Sequence, residues 1–184
     1  MNQNTLIFLD LETTGLQPES CHILEVAAVA VRLPRFDPIA EISRIVVPPL
    51  WPTVERNLHE RVGVMHGRSG LLAMVDAAYK RGGAARAQDV ESEVLAFVRE
   101  HAPQTLNWHT PLAGANPDFD RRFLVKHMPK LARAFHYRNF DVRSITQLQD
   151  WIEGLPHVES PHRALDDCYE AISRVREFLG IGIE

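Results

Sequence analysis

Three apolar segments rich in β-branched residues open the chain, and they constrain its fold more than any other feature. They run from Thr5 to Leu11, from Ile23 to Arg32 and from Glu41 to Val47. The stretch from Pro34 to Pro38 joins the second to the third and suits a hairpin connection, because proline-containing stretches favour turns. The sequence therefore predicts three consecutive strands at the start of a sheet.

Helical and strand patterns alternate along the rest of the chain. Apolar residues recur at three- and four-residue intervals in the helical segments, and short apolar runs mark the strands. The predicted helices are Ser69 to Ala78, Val90 to Arg99 with Asp89 as a candidate cap, Pro117 to Met128 after Asn116, and Arg163 to Leu179; the predicted strands are Thr110 to Gly114 and Tyr137 to Val142. This order predicts an α/β fold in which helices cover a mixed sheet.

Length and composition fit one ordinary domain, since 184 residues, 45% of them hydrophobic, can bury a single core. No repeat or long linker divides the chain, so we expect a single domain over residues 1–184. The longest apolar run, Ile23 to Val31, contains Glu25 and is shorter than the roughly 20 residues of a membrane-spanning helix. The N-terminus shows no signal-peptide pattern, so we expect a cytoplasmic protein that does not bind a membrane.

Charge and cysteine content narrow the classes of function. Cys21 and Cys168 are far apart and form no C-x-x-C pair, which predicts two core thiols rather than a disulfide or a zinc site. The formal net charge of −4 does not favour an extended surface for duplex nucleic acid. Bound cations can still make a carboxylate cluster locally positive. Acidic residues are therefore the candidates for a site that acts on a polyanion such as a nucleic acid.

Two Asp-x-Glu triplets occur, and their contexts differ. Asp10 and Glu12 close an apolar strand, where residues two apart face the same side and like charges repel unless a cation lies between them. Asp89 and Glu91 instead stand at a predicted helix start, where the helix dipole favours acids. Taken alone, Asp10 and Glu12 could be metal ligands or two solvated acids at a strand end.

A second acidic motif opens the helix that follows the fourth predicted strand. Asp118 falls in the first helical turn, where the helix dipole explains an acid, so we interpret it as structural. Asp120 lies beside the apolar face formed by Phe119 and Phe123, and it is therefore the candidate functional carboxylate of this motif.

A third motif pairs His162 with Asp167. The histidine stands just before the last predicted helix, and the carboxylate lies in the first turns of that helix, so both can face one site. His136 and Asp141 have the same spacing, but on a predicted strand their positions point to opposite faces. We therefore expect the first pair to be functional and the second to be structural.

Together, the segments D-L-E-T-T-G-L, N-P-D-F-D-R-R-F-L and H-R-A-L-D-D, in this order, resemble the three motifs of the DEDDh exonuclease superfamily. Further segments resemble its oligoribonuclease branch: His66 to Leu71, Phe123 to Leu131, and His136 to Arg138 with Asp141 and Val142. The resemblance implies a ribonuclease-H-like five-stranded sheet and a metal-dependent 3′-to-5′ exoribonuclease acting on short single-stranded RNA. It also implies a homodimer in which Tyr137 reaches the active site of the partner.

The same resemblance assigns roles to the acidic residues. Asp10 would bridge two divalent cations, Mg²⁺ or Mn²⁺, with Glu12 and Asp167 completing one site and Asp120 helping the other. His162 would be the general base, because an imidazole can accept a proton near neutral pH. Two such cations about 4 Å apart can activate water and stabilise an in-line displacement, and hard oxygen ligands suit them.

Four further residues match substrate-contacting positions of the branch, and three of them also have a plainer interpretation. Leu16 would pack on the terminal bases, or it closes the core from a turn. His66 would contact a phosphate, or it is a satisfied loop histidine. Arg138 would bind the 5′ phosphate, or it is a solvated cation at a strand end. Thr13 stands where the branch usually has methionine.

Other departures bear on the substrate. The segment from Gly114 to Asp120 is closer to proofreading exonucleases, Arg143 stands where the branch has a phosphate-contacting serine, and Leu148 occupies a position that is usually basic. These departures favour an alternative substrate, single-stranded DNA or longer RNA 3′ ends. A catalytically silent nucleic-acid-binding module is the third hypothesis, but it predicts erosion of the carboxylates or of His162, and all of them are present.

Overall fold

A computed structural model describes residues 5–82, 86–102, 109–153 and 162–181. Its strands are β1 (Thr5–Thr13), β2 (Ile23–Arg32), β3 (Asp37–Ile45), β4 (Pro111–Gly114) and β5 (His136–Asp141). Its helices are α1 (Trp51–Arg56), α2 (Glu60–Arg68), α3 (Leu71–Lys80), α4 (Ala87–His101), α5 (Pro117–His127), α6 (Pro129–Ala132), α7 (Val142–Glu153) and α8 (Ala164–Phe178). None of the helices in these ranges is long and apolar enough to cross a membrane.

The five strands form one mixed sheet in the order β3-β2-β1-β4-β5. β2 pairs antiparallel with both β1 and β3, whereas β4 pairs parallel with both β1 and β5. The antiparallel half follows from the short connections between the first three strands, and the parallel half from the long connections that contain helices. The predicted mixed five-stranded sheet flanked by helices is confirmed.

β1 is the central strand, and its side chains alternate between two cores. Ile7 and Leu9 face a core that includes buried residues of α4, α5 and α6. Leu6 and Phe8 face the other core, to which α8 contributes Ala164, Cys168, Ala171, Ile172 and Val175. Because a core covers each face of the sheet at β1, nearly all residues of this strand are apolar up to its acidic end.

The strand boundaries differ from the prediction mainly at β3. It begins at Asp37 and ends at Ile45, rather than running from Glu41 to Val47, because the hairpin turn is tight and contains Phe36 with φ of 57°. β3 is an edge strand with many exposed side chains, so its apolar pattern does not mark its limits. β5 begins one residue earlier than predicted and ends one residue earlier, at Asp141.

Three predicted helix boundaries also need correction. Asp89 is not the cap of α4, because the helix begins at Ala87 and Asp89 lies in its first turn. α3 begins at Leu71 rather than Ser69, since Gly70 precedes it in the left-handed conformation with φ of 76°. Leu179 lies just beyond α8 and is 51% exposed.

Four helices were missed by the sequence patterns, namely α1, α2, α6 and α7. α1 and α6 are short, with six and four residues, and each has proline in its first turn. α2 buries only His66, so it carries no apolar stripe. A further correction concerns the cysteines: Cys168 is buried as predicted, but Cys21 is only partly buried.

The close approach of β4 to β1 gives a test of the fold next to the acidic strand end. A Cβ atom at Gly114 would lie 3.0 Å from the carbonyl oxygen of Leu9, and backbone on a central strand cannot easily move aside. We expect Gly114→Ala to lower the free energy of unfolding by about 1–3 kcal/mol in urea titrations. Gly63→Ala is the control, because its Cβ would meet nothing within 4 Å in α2 and alanine favours helix. Equal stability of the two variants would contradict this packing.

Candidate active site

The acidic end of β1 is directed toward α8. Asp10 and Glu12 have the same strand parity as Leu6 and Phe8, which face the core that α8 completes. Asp10 is partly exposed, and Glu12 is buried with 6% of its surface accessible. The alternation of the strand therefore directs both carboxylates to the side on which α8 begins.

Asp120 reaches the same strand end from α5. Its carboxylate is buried, and its Oδ1 accepts a hydrogen bond of 3.1 Å from the backbone N–H of Leu11, between the two acids of β1. Asp118 lies two residues before Asp120. Its side chain is exposed, and its Oδ2 lies 3.7 Å from Nε of Arg122. The structure therefore brings Asp120 to the acidic strand end and leaves Asp118 on the surface.

His162 and Asp167 complete the cluster. One ligand atom from each of Glu12, His162 and Asp167 lies within 4.8 Å of the other two. His162 has a positive φ of 57°, a backbone conformation that non-glycine residues rarely adopt and that is often found at functional sites. Asp166, the neighbour of Asp167, is exposed. All five residues predicted from the motifs thus belong to one region at the end of the central strand.

Burial and crowding both raise the proton affinity of the carboxylates. Desolvation, followed by the charges of Asp120, Asp167 and Glu12, raises the pKa of Asp10 well above its ordinary value. Desolvation, with the Asp167 charge second, raises the pKa of Glu12 to about 8. Desolvation also raises the pKa of Asp120 to about 8, against the opposing hydrogen bond from Leu11. These acids hold protons near neutral pH unless positive charge offsets their repulsion.

The donor set fits divalent cations. Oxygen atoms of clustered carboxylates suit hard cations such as Mg²⁺ and Mn²⁺. The three residues whose ligand atoms converge, Glu12, His162 and Asp167, could hold one ion. Asp10 and Asp120 lie beside them and supply further oxygens.

His66 and Thr13 lie directly behind the cluster. His66 is buried in α2, not in a loop, and its Nε2 donates to the carbonyl oxygen of Thr13 at 2.8 Å. Its Nδ1 lies 3.7 Å from Oε2 of Glu12, and burial lowers the pKa of the ring. The hydroxyl of Thr13 donates to the carbonyl oxygen of Gly15 at 2.7 Å. In this conformation both residues support the turn after β1.

Leu16 and Tyr137 present apolar surface to solvent. Leu16 is 72% exposed, so the interpretation that it closes the core is wrong. Tyr137 is 74% exposed on the edge strand β5, where the Arg138 guanidinium lies 5.3 Å from its ring centroid. Arg143 donates its backbone N–H to Asp141, and the side chain of Leu148 lies outside the described part of the structure.

Sequence reasoning missed the partner of Glu25. This fully buried carboxylate of β2 accepts two hydrogen bonds from the guanidinium of Arg163, at 3.0 and 2.9 Å. A charge within an apolar strand is the signal that could have indicated a buried ion pair, because such a charge requires a partner. The identity of that partner, distant in sequence, is not encoded locally.

The fold and the cluster define a class of protein: a metal-assisted nuclease in which four carboxylates and a histidine meet at the end of the central strand of a mixed sheet. Comparisons with known proteins agree. Residues 7–174 match the model of the family described as Exonuclease, RNase_T. The oligoribonuclease of Thiobacillus denitrificans is 35% identical over 97% of this chain and 94% of its own length. That of Aromatoleum aromaticum is 37% identical over 96% of this chain and 93% of its own.

Solved structures share the fold at lower identity. The nuclease domain of 3′hExo, a DEDDh family member bound to rAMP, has a TM-score of 0.61 at 17% identity and covers 98% of this chain and 94% of that one. E. coli exonuclease I with a dT13 oligonucleotide has a TM-score of 0.66 at 16% identity and covers 95% of this chain and 41% of that one. The chain therefore belongs to the exonuclease family and, within it, to the oligoribonucleases.

The raised pKa values predict a pH-dependent loss of stability in protein kept in a chelator. An acid whose pKa is raised in the folded state stabilises that state at low pH and destabilises it as pH rises between its unfolded and folded pKa values. For Glu12 and Asp120 this window runs from about 4 to about 8. We expect the Tm measured by calorimetry to fall by roughly 5 °C from pH 5 to pH 8.

Mg²⁺ should reverse this loss most strongly at pH 8, where the carboxylates have released their protons. Asp10→Asn is the matched control, because it removes one charge from the cluster and should reduce the fall in Tm. A Tm that rises between pH 5 and pH 8 in chelator would show that burial and mutual repulsion do not raise the pKa values of these carboxyl groups as described.

Proposed function

We propose that the protein hydrolyses short single-stranded RNA from the 3′ end, releasing nucleoside 5′-monophosphates, with two Mg²⁺ or Mn²⁺ ions as cofactors. The observation that carries the proposal is the convergence of Glu12, His162 and Asp167 within 4.8 Å at the end of β1. The oligoribonuclease names of relatives that align over nearly the whole chain support RNA over the DNA alternative.

The division of the two ions among the carboxylates is the one that the resemblance to the DEDDh superfamily implies. Asp10, whose carboxylate lies close enough to Asp120, Asp167 and Glu12 for their charges to raise its pKa, would contact both ions, with Asp167 and Glu12 at the first and Asp120 at the second. When bound, such ions activate the attacking water and stabilise charge on the entering and leaving oxygens of phosphoryl transfer. The backbone N–H of Leu11 keeps Asp120 in place for this role.

His162 is suited to accept the proton of the attacking water. One of its ring nitrogens lies within 4.8 Å of a carboxylate oxygen of Glu12 and of Asp167, so the ring borders the place where the ions and the attacking water would be held. The water oxygen attacks phosphorus, and the bond to the 3′ oxygen of the preceding nucleotide breaks. The 5′ phosphate therefore stays with the released terminal nucleotide, and the shortened RNA ends in a 3′ hydroxyl.

Leu16 and Tyr137 would contact the RNA. Leu16 is exposed on the turn after β1, close in sequence to the cluster, and an apolar side chain there can pack on unstacked terminal bases. Tyr137 is 74% exposed on the edge strand β5, and its match to the oligoribonuclease branch implies that it serves the active site of a second copy of the chain. We propose a homodimer in which Tyr137 and Arg138 act on the partner's substrate. His66 and Thr13 would support the phosphate side of the site from behind the cluster, through the hydrogen bond from the His66 ring to the Thr13 carbonyl oxygen.

The cleavage reaction can be tested with a matched pair of adjacent carboxylates. Asp167→Asn should lower kcat at least about 100-fold with Mg²⁺ or Mn²⁺, because it removes a charged group at the reacting centre. Asp166→Asn should stay within about 2-fold, since Asp166 is exposed outside the cluster. The assay uses a 5′-labelled RNA dinucleotide, an RNA pentamer and single-stranded DNA.

Three results would contradict the proposal, each in a different way. Absence of metal-dependent cleavage in the unaltered protein would reject nuclease activity. Cleavage of DNA at equal or higher rates would reject the RNA assignment. Retained activity in Asp167→Asn would show that the metal site lies elsewhere.

The role of Tyr137 in the partner's site can be tested by mixing two inactive variants. Tyr137→Ala and Asp167→Asn should each form inactive dimers. Random exchange should restore roughly a quarter of the original activity, since half of the dimers are mixed and each has one intact site. Tyr79→Ala, another exposed tyrosine, is the control and should need no complementation. Light scattering that shows a fully active monomer would contradict the dimer.

A further inference from the structure

Glu25 is a fifth carboxylate at the cluster that has no place in the chemistry proposed above. It is fully buried on β2 and is the cross-strand partner of Glu12 on β1. Side chains of directly opposite residues lie on the same face, and like charges in that position destabilise a sheet. The charge of Glu25 also contributes to the raised pKa of Glu12. A carboxylate in this position needs a specific partner.

The hydrogen bonds of Glu25 occupy both of its oxygens. Oε1 accepts from Nη2 of Arg163 at 2.9 Å and from the hydroxyl of Ser43 at 2.9 Å. Oε2 accepts from Nε of Arg163 at 3.0 Å and from the backbone N–H of Ala164 at 3.2 Å. A carboxylate has about four lone-pair positions, so Glu25 has no oxygen left for a metal ion. Its function must therefore differ from that of Glu12.

The charge state of Glu25 agrees with this pairing. Burial alone would raise its pKa, but the hydrogen bonds and charge of Arg163 hold the pKa below its ordinary value. Arg163 contributes a planar fork that matches a carboxylate at two points, which fixes orientation as well as distance. The pair is therefore an ionised, two-point contact between the centre of the sheet and the residue before α8.

The contact between Glu25 and Arg163 lies next to His162 in the chain. Arg163 is the N-cap residue of α8 and follows His162 directly, and Glu25 accepts the N–H of the first helical residue, Ala164. His162 has a φ of 57°, which is strained for a residue with a side chain. Such a conformation persists only where neighbouring contacts enforce it.

Asp167 depends less on this contact than His162 does. It lies within α8, which is anchored in the core by Cys168, Ala171 and Ile172. His162 precedes the helix, and its backbone direction is set by the residue that Glu25 holds. Loss of the pair should therefore disturb the histidine more than the metal ligand.

On the basis of the proposed nuclease reaction, we propose that Glu25 and Arg163 are positioning residues, whose bidentate contact holds His162 in its left-handed backbone conformation with the imidazole directed at the cluster. They contact neither the substrate nor the ions in this role. Their effect on the reaction passes through His162.

The test is a double-variant cycle that joins Arg163→Lys to His162→Ala. Lysine keeps the positive charge beside Glu25 but loses the two-point contact, and Arg163 is partly exposed, so the variant is expected to fold. We expect Arg163→Lys alone to lower kcat about 10- to 100-fold, as small displacements of catalytic groups do. KM and the Mn²⁺ affinity measured by calorimetry should stay within about 2-fold.

In the His162→Ala background the same lysine substitution should change kcat by less than about 2-fold, because the group it positions is gone. Equal losses in both backgrounds would overturn the proposal, as would a loss of kcat accompanied by weaker Mn²⁺ binding. Glu25→Gln should repeat the pattern of Arg163→Lys. Arg174→Lys is the control, since Arg174 pairs with Glu170 on the same helix, and it should leave kcat unchanged.

A second measurement does not depend on activity. In protein with ¹⁵N-labelled histidine, the ring signals of His162 can be assigned by their loss in His162→Ala. We expect these signals to shift in Arg163→Lys while those of His127, packed against Phe123, remain. Unchanged His162 signals would overturn the proposal. An inactive unaltered protein would instead reject the nuclease reaction, so the two failures can be told apart.

Discussion

The burial of mutually repelling carboxylates at the end of β1 is the constraint on which the arrangement of this protein depends. Asp10, Glu12 and Asp120 all have raised pKa values, and desolvation is the first cause in each case. A protein selected only for stability would not gather these groups. The surrounding elements therefore serve to hold charges together that would otherwise separate, until cations offset their repulsion.

The fold meets this constraint with helix ends and with one ion pair. Asp120 lies in the first turn of α5 and Asp167 in the first turn of α8. The positive end of a helix dipole favours carboxylates there, and the N–H of Leu11 gives Asp120 a further donor. Glu25 would add to the repulsion, but Arg163 compensates it in place and turns it into a contact that fixes the approach to α8.

Much of this arrangement could be predicted from the sequence, because its signals are local. Short stretches of consecutive residues are enough to recognise the apolar run of β1 that ends in Asp10 and Glu12. The same is true of the helix that carries Asp120. The helical placement of His66 and the partner of Glu25 could not be predicted. α2 has no apolar stripe, and the contact of Arg163 with Glu25 joins residues 138 positions apart. Such features depend on tertiary packing, which local sequence patterns do not predict.

In the proposed reaction, substrate choice depends on a different part of the molecule from the chemistry. The carboxylates and His162 would act on the phosphodiester group that RNA and DNA share, so they would not distinguish substrates by themselves. The groups that could do so, Leu16 and Tyr137, are exposed, and neither is needed to stabilise the core. These positions can therefore change without disturbing the cluster. Thr13 and Arg143, which depart from the oligoribonuclease pattern, also lie outside the group of four carboxylates and His162, so these departures leave the proposed chemistry intact.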